Sequence, residues 1–252
     1  MLRLLCVTAH PDDEAGAFGG SLRLYADRGV KTFVVCLTDG QAASNRGDAK
    51  SGDELGRIRR EEFDRSCALL GVHHGEIAHW QDKHLSLEPV ERLAEFLVQR
   101  IREIEPHVML TFGTEGAVTA HPDHTMASLF ATAAFHWAGR KERYPEQLER
   151  GLAPWHVQKL YYETSDAPMP GRPATSPAPW TAIIDIGEKN MRVKRDAFAA
   201  HTTQNPILPL FDERLQQRGP RELYHLAACV HPMSAVQETD LFENVQEGYG
   251  GA

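Results

Sequence analysis

The string Val-Thr-Ala-His-Pro-Asp occurs twice in this chain, at residues 7–12 and again at residues 118–123. The first copy runs on into Asp13 and Glu14, the second into His124. Each copy gathers ligand-type side chains within one turn: His10, Asp12 and Asp13 in the first, His121, Asp123 and His124 in the second. Imidazoles and carboxylates hold divalent cations and move protons near neutral pH. Asp12 and Asp13 are adjacent, so one can ligate while the other faces a substrate. His121 and His124 are three apart at a predicted helix start and share a face. A His-Asp-His set meets the ligand count of a catalytic metal site, three groups and an open position. A cation there lowers the pKa of its water to roughly 7. A neighbouring carboxylate can take the proton, and a donor or positive group can hold the oxyanion. The two strings leave an aspartate and a histidine spare for those tasks, so the chemistry they suit is hydrolysis. Two histidines and a carboxylate could also hold iron for oxygen chemistry, but the spare acid–base pair speaks against it.

The elements that must position these residues follow from patterning. Residues 2–8, 32–38 and 108–112 are short apolar runs that read as buried strands, with a further short strand at 77–80. Helical spacing covers 15–28, 54–70, 88–105 and 122–137, the last with Pro122 in its first turn. Strands alternating with helices predict a Rossmann-like, mostly parallel sheet with helices on both faces, within a single domain over residues 1–252. Ligands of such sheets bind at the carboxyl ends of the strands. One string follows a strand directly and the other follows a strand after a loop at 113–120. Residues 39–52 read as a polar loop. The last third, from about residue 150, is less regular, with strands at 158–164 and 181–186, a proline-rich loop at 166–179 and a helix at 189–201.

Composition limits the classes of function. Among 252 residues, 27 Lys and Arg face 35 Asp and Glu, a net charge of −8 that excludes a general nucleic-acid binder. No stretch approaches the ~20 apolar residues of a membrane span. Four cysteines form no C-x-x-C pair, and Cys6 and Cys36 lie within apolar runs, which predicts a reducing, cytoplasmic setting. Nothing in the sequence decides between a monomer and a homo-oligomer. Gly16, Gly19 and Gly20 do not make a G-x-G-x-x-G and are expected to serve close helix packing instead.

Ala-His-Pro-Asp-Asp-Glu at residues 9–14, followed by Ala-His-Pro-Asp-His at 120–124, resembles the PIG-L/LmbE family of metal-dependent de-N-acetylases. Supporting segments are Ile-Arg-Arg-Glu-Glu at 58–62, Trp-Gln-Asp at 80–82, and the stretch from Lys194 to Gln204 that contains His201. The match covers roughly residues 1–205. The resemblance implies zinc, with iron or another divalent metal as the alternative, held by His10, Asp13 and His124. It implies that Asp12 is the general base, that His121 stabilises the oxyanion or protonates the leaving amine, and that Asp123 orients His121. Arg59 and Asp82 would line the substrate pocket. The chain departs from the pattern at Thr119, where some sugar-thiol members carry a tyrosine, and at Ala120, which replaces the usual glycine.

The expected activity is removal of an acetyl group from an N-acetylated amino sugar or its glycoside, a small-molecule substrate. The nearest alternative is an amidase of sugar-thiol S-conjugates or of another non-acetyl amide. A non-catalytic sugar- or metal-binding protein is the third reading, and the intact Asp12 weighs against it. Each residue also has a plainer role to set beside these. Asp12 could cap a helix, Asp123 sits where a carboxylate favours a helix start in any case, and Arg59 could lie on a solvated face.

Overall fold

The computed structural model describes residues 1–166, 175–231 and 237–249. The apolar runs form strands: β1 (Arg3–Thr8), β2 (Lys31–Thr38), β3 (His74–Trp80), β4 (Val108–Phe112), β5 (Lys159–Glu163), β6 (Ala182–Asp185) and β7 (Arg221–Cys229). They lie in one seven-stranded sheet of order β3-β2-β1-β4-β5-β7-β6. The pairs from β3 through β5 are parallel, and β7 runs antiparallel between β5 and β6. Leu4, Leu5, Cys6 and Val7 on β1, and Val108, Met109 and Leu110 on β4, are all fully buried. Strands covered on both faces read as continuous apolar runs, which is why these were visible in the sequence.

The helices are α1 (Asp13–Gly16), α2 (Gly19–Asp27), α3 (Gly52–Leu70), α4 (Val90–Ile104), α5 (Pro122–Trp137), α6 (Pro145–Glu149), α7 (Gly187–Ala199) and α8 (Leu208–Arg218). The helix expected over 15–28 is two helices, broken at Ala17 and Phe18. Gly20 explains the tight approach that follows: a Cβ there would lie 2.2 Å from Ile186 Cδ1. Helices α1, α2, α3 and α7 pack on one another, and α4 packs on α5 as a separate layer. Ser51 caps α3 by accepting from Glu54 N–H, and left-handed Gly71 ends it. On α4 the stripe Leu93, Leu97 and Ile101 is fully buried, as period-3.6 patterning requires.

Three elements were not anticipated: the short helix α6, helix α8 and strand β7. Helix α8 buries none of its residues, and β7 lacks a clean alternation. Of the proline-rich stretch, residues 167–174 lie outside the described residues. The decisive point of the topology is the reversal between β1 and β4. From β1 the chain adds β2 and β3 on one side, then returns to place β4 on the other, which opens a crevice at the carboxyl ends of β1 and β4.

Candidate active site

Both His-Pro-Asp strings enter that crevice. From β1 the backbone passes His10 and Pro11 and turns sharply at Asp12, whose φ of 113° is left-handed. A non-glycine residue there costs on the order of 1–3 kcal/mol and persists only where its surroundings enforce it. Here they do. The Asp12 N–H donates to Glu14 Oε2 at 3.0 Å. Glu14, fully buried, also accepts from Ser66 Oγ and pairs with His201 Nε2, each at 2.6 Å. The turn aims Asp12 and Asp13 apart.

Asp13 Oδ2 accepts from the backbone N–H groups of Ala9 at 3.2 Å and His10 at 2.8 Å. Its Oδ1 faces His124 Nε2 at 3.2 Å. Burial pushes the Asp13 carboxyl up, but the imidazoles of His124 and His10 together reverse this and hold it well below the usual range. His10 turns Nδ1 toward Asp13 Oδ2 at 3.6 Å and Nε2 toward Asp82 Oδ1 at 3.2 Å and Asp123 Oδ2 at 3.3 Å. Burial lowers its pKa, yet bonds to Asp123, Asp13 and Asp82 carry it well above the ordinary value. His124 stacks on Phe112 at 4.1 Å between centroids with the planes 7° apart, which fixes the ring.

This donor set fits a cation. The 3.2 Å from Asp13 Oδ1 to His124 Nε2 matches the edge, about 3.3 Å, of a tetrahedron with bonds of ~2.0 Å. Two groups of ligand atoms converge within 4.8 Å among the described residues: His10 with His121 and His124, and His10 with Asp82 and Asp123. Asp123 Oδ1 is buried with no hydrogen-bond partner. A carboxylate behind a ligating imidazole fixes its tautomer and raises its basicity. That is the geometry of Asp82, which is 3% exposed and held by the Ala42 N–H at 3.0 Å. Burial raises Asp82, but the bond to His10 and further contacts lower it to about 2. Asp82 thus stands behind His10, not on an open substrate wall.

Arg59 is likewise buried, at 2% exposure. It donates to Asp12 Oδ2 at 2.8 Å, to Pro11 O, and to Gly40 O at 3.3 Å. Gly40 permits this approach, since its φ is +65° and a Cβ would lie 2.2 Å from Arg59 Nη1. Burial pushes Asp12 up to about 6, against the opposing pull of Arg59. Glu62, one turn along α3, accepts from Thr202 Oγ1, Thr203 N–H and Thr203 Oγ1, which anchors the segment carrying His201.

His121 caps α5, with Nδ1 accepting the Asp123 N–H at 3.2 Å. With Nδ1 so engaged, the proton of the neutral ring resides on Nε2. Burial and the neighbouring His10 and His124 push its pKa down to about 4. Asp123 serves His121 through its backbone, while its carboxylate takes the Lys83 N–H at 2.6 Å and faces His10. The sequence expectation of a carboxylate behind His121 is therefore replaced by one behind His10. The crevice opens past Asp12, Asp13 and His124 onto α7 and α8. Glu14, the Lys83 N–H and the α8 wall escaped the sequence reading. Glu14 alone carried a signal, its place beside Asp13.

Residues 5–135 match the PIG-L family, described as GlcNAc-PI de-N-acetylase. The chain is 30% identical over 249 residues to a 1D-myo-inositol 2-acetamido-2-deoxy-alpha-D-glucopyranoside deacetylase of Rhodococcus jostii, covering 82% of this chain and 83% of that protein. It is 34% identical over 180 residues to a mycothiol S-conjugate amidase of Streptomyces coelicolor, covering 64% and 60% of the two chains. The fold resembles that of N,N'-diacetylchitobiose deacetylase from Pyrococcus horikoshii with a TM-score of 0.73 at 23% identity, over 98% of this chain and 87% of the other. With its paired strings, its crevice between β1 and β4 and this extent of similarity, the chain belongs to the PIG-L family.

Proposed function

We propose that this protein is a zinc-dependent de-N-acetylase of an N-acetylated amino sugar or its glycoside. The observation that carries the reading is the meeting of the two strings at Asp13, whose Oδ1 lies 3.2 Å from His124 Nε2 and whose Oδ2 lies 3.6 Å from His10 Nδ1. We assign His10, Asp13 and His124 as the ligands on that contact, and Asp12 and His121 beside them to the proton and oxyanion work, although His121 also lies within ligand reach of His10 and His124. Zinc held by those three residues would supply the Lewis acid that polarises the amide carbonyl and eases deprotonation of water. Asp12, fixed by Arg59, accepts the proton of the attacking water. His121 presents Nε2–H to the carbonyl oxygen as it gains charge. The hydroxyl adds to the carbonyl carbon, Asp12 passes the proton it received to the nitrogen as the C–N bond breaks, and the products are the amine and acetic acid, which ionises to acetate.

Asp82 and Asp123, which both face His10 Nε2, would accept its Nε2–H and leave Nδ1 unprotonated to hold the metal. Free thiols at Cys6, Cys36 and Cys67 support a reducing compartment, the cytoplasm. No helix among the described residues is long and apolar enough to cross a membrane.

The test is acetate release from a panel of N-acetylated amino sugars by zinc-loaded and metal-stripped protein, with Asp12→Ala and His121→Ala beside the parent. Full activity in Asp12→Ala would sink the reading. Release of a larger acid, with acetyl substrates untouched, would favour a non-acetyl amidase. Tight sugar binding with no product at all would make the protein a binder.

A further inference from the structure

One face of α3 carries Arg59, Glu62 and Ser66, three and then four residues apart. All three are polar and all three are buried. Each leads to Asp12 by its own route. Arg59 bonds the Asp12 carboxylate and the Pro11 carbonyl. Ser66 Oγ donates to Glu14 Oε1, and Glu14 Oε2 takes the Asp12 N–H. Glu62 pins Thr202 and Thr203. That fixes the residue before them, His201, whose Nε2 closes on Glu14 Oε1 at 2.6 Å.

Packing alone does not account for His201. It is fully buried. A carboxylate can only accept, so the Nε2–H of His201 donates to Glu14. Its Nδ1 is buried without a hydrogen-bond partner. An unsatisfied buried nitrogen is destabilising, and a leucine at this place would avoid that loss. The one polar contact of the ring is with Glu14, and Glu14 in turn serves the backbone of Asp12.

We infer that His201 is a positioning residue for Asp12. Through Glu14 it holds the Asp12 backbone at φ 113°, while Arg59 holds the carboxylate, so both ends of the residue are clamped. A left-handed aspartate persists only where its surroundings enforce it. Without the clamp the turn relaxes and the carboxylate swings out of line with the reacting carbonyl. The inference rests on the reading of Asp12 as the base, and its test keeps the two apart.

Two readouts are taken in the parent, His201→Leu and His201→Gln. One is hydrogen exchange of the Asp12 amide, followed by NMR. The other is acetate release from the methyl glycoside of N-acetylglucosamine by zinc-loaded protein. In the parent the Asp12 amide should exchange at least about 100-fold more slowly than an exposed loop amide. His201→Leu should lose that protection while the amides of β1 and β4 keep theirs. Its kcat should fall by about 10- to 100-fold, with KM and zinc content within about twofold of the parent. His201→Gln keeps a donor near the place of Nε2 and should recover about a third of parental kcat or more. A histidine that merely fills the core would lower the melting temperature in both variants without separating kcat from KM, and that result overturns the inference. So does a folded His201→Leu with kcat within about twofold of the parent. If His201→Leu does not fold, the other two proteins decide. Fast exchange of the Asp12 amide in the parent, or a His201→Gln as impaired as Asp12→Ala, overturns the clamp. If no acetate is released, or Asp12→Ala keeps full activity, the underlying reading fails and exchange alone judges. Lost protection in His201→Leu then supports the clamp, and unchanged protection overturns it.

Discussion

Arg59→Met isolates the placement of the proposed base, Asp12, from the proposed ligand set. Arg59 touches none of His10, Asp13 and His124, yet bonds Asp12 Oδ2, Pro11 O and Gly40 O. Removing one partner of a buried ion pair costs about 3–5 kcal/mol. Part is returned, because Arg59 Nε is buried without a partner, and removal of such a group recovers about 1 kcal/mol. Methionine keeps most of the volume, so the net loss should be about 3 kcal/mol. At ~2–4 °C per kcal/mol for a chain of this size, the melting temperature should drop by about 10 °C. Activity should fall further than stability, by about 100-fold in kcat, because a base displaced by even 1 Å loses on that order. Metal content, measured after gel filtration of zinc-loaded protein, should stay at the parent level. Arg59→Lys should recover part of the stability but little activity, since one ammonium cannot replace a fork that serves three acceptors. Retention of a third or more of parental turnover in folded Arg59→Met would refute the argument. So would loss of zinc in proportion to activity.

Further outcomes follow from the same geometry. Gly116 has φ +84°, and a Cβ there would lie 2.8 Å from His121 O and 2.9 Å from His121 N. Gly116→Ala should lower stability by about 1–3 kcal/mol and depress kcat by shifting His121, and unchanged turnover and melting would count against that placement. Chelation should abolish activity reversibly while leaving far-ultraviolet circular dichroism intact, because the buried sheet needs no cation to form. Collapse of the spectrum would show a structural metal. His107 is buried, with Nδ1 accepting the Arg3 N–H at 3.2 Å and Nε2 set 3.1 Å from Glu247 O. Burial, then Arg3, pushes its pKa down to about 4. A depressed histidine contributes stability that is complete above the unfolded value of about 6.5 and lost as pH falls toward 4, at most about 3 kcal/mol. His107→Gln should flatten the denaturant midpoint between pH 6.5 and 4, and an unaltered slope would refute the assignment.

The sequence made the catalytic half of the molecule legible because its parallel strands are buried on both faces and its ligands sit in contiguous strings. What it could not convey was direction. Arg59 and Asp82 were placed near the pocket by their segments, but which side they face depends on the Gly40 loop and the Ala42 N–H, contacts about 20 and 40 residues apart along the chain. Helix α8 was missed because Pro206 and Pro209 punctuate its start and it has no buried stripe to create a period.

The repeated string shows how far identical letters can diverge once the backbone around them differs. In the first copy the chain leaves β1 directly, and the helix starts only at Asp13, with Asp12 forced to φ 113°. His10 is thereby still on the strand end, its Nδ1 toward Asp13. In the second copy the chain arrives through left-handed Ala120, φ 50°, and His121 itself becomes the cap of α5. The helix start has moved two positions earlier relative to the string. That shift engages the Nδ1 of His121 with a backbone N–H and frees its Nε2, while Asp123, now inside the helix, swings its carboxylate to His10. A two-residue difference in where a helix begins is thus enough to give the two copies of one histidine different partners, which is what the proposed split into ligand and donor requires.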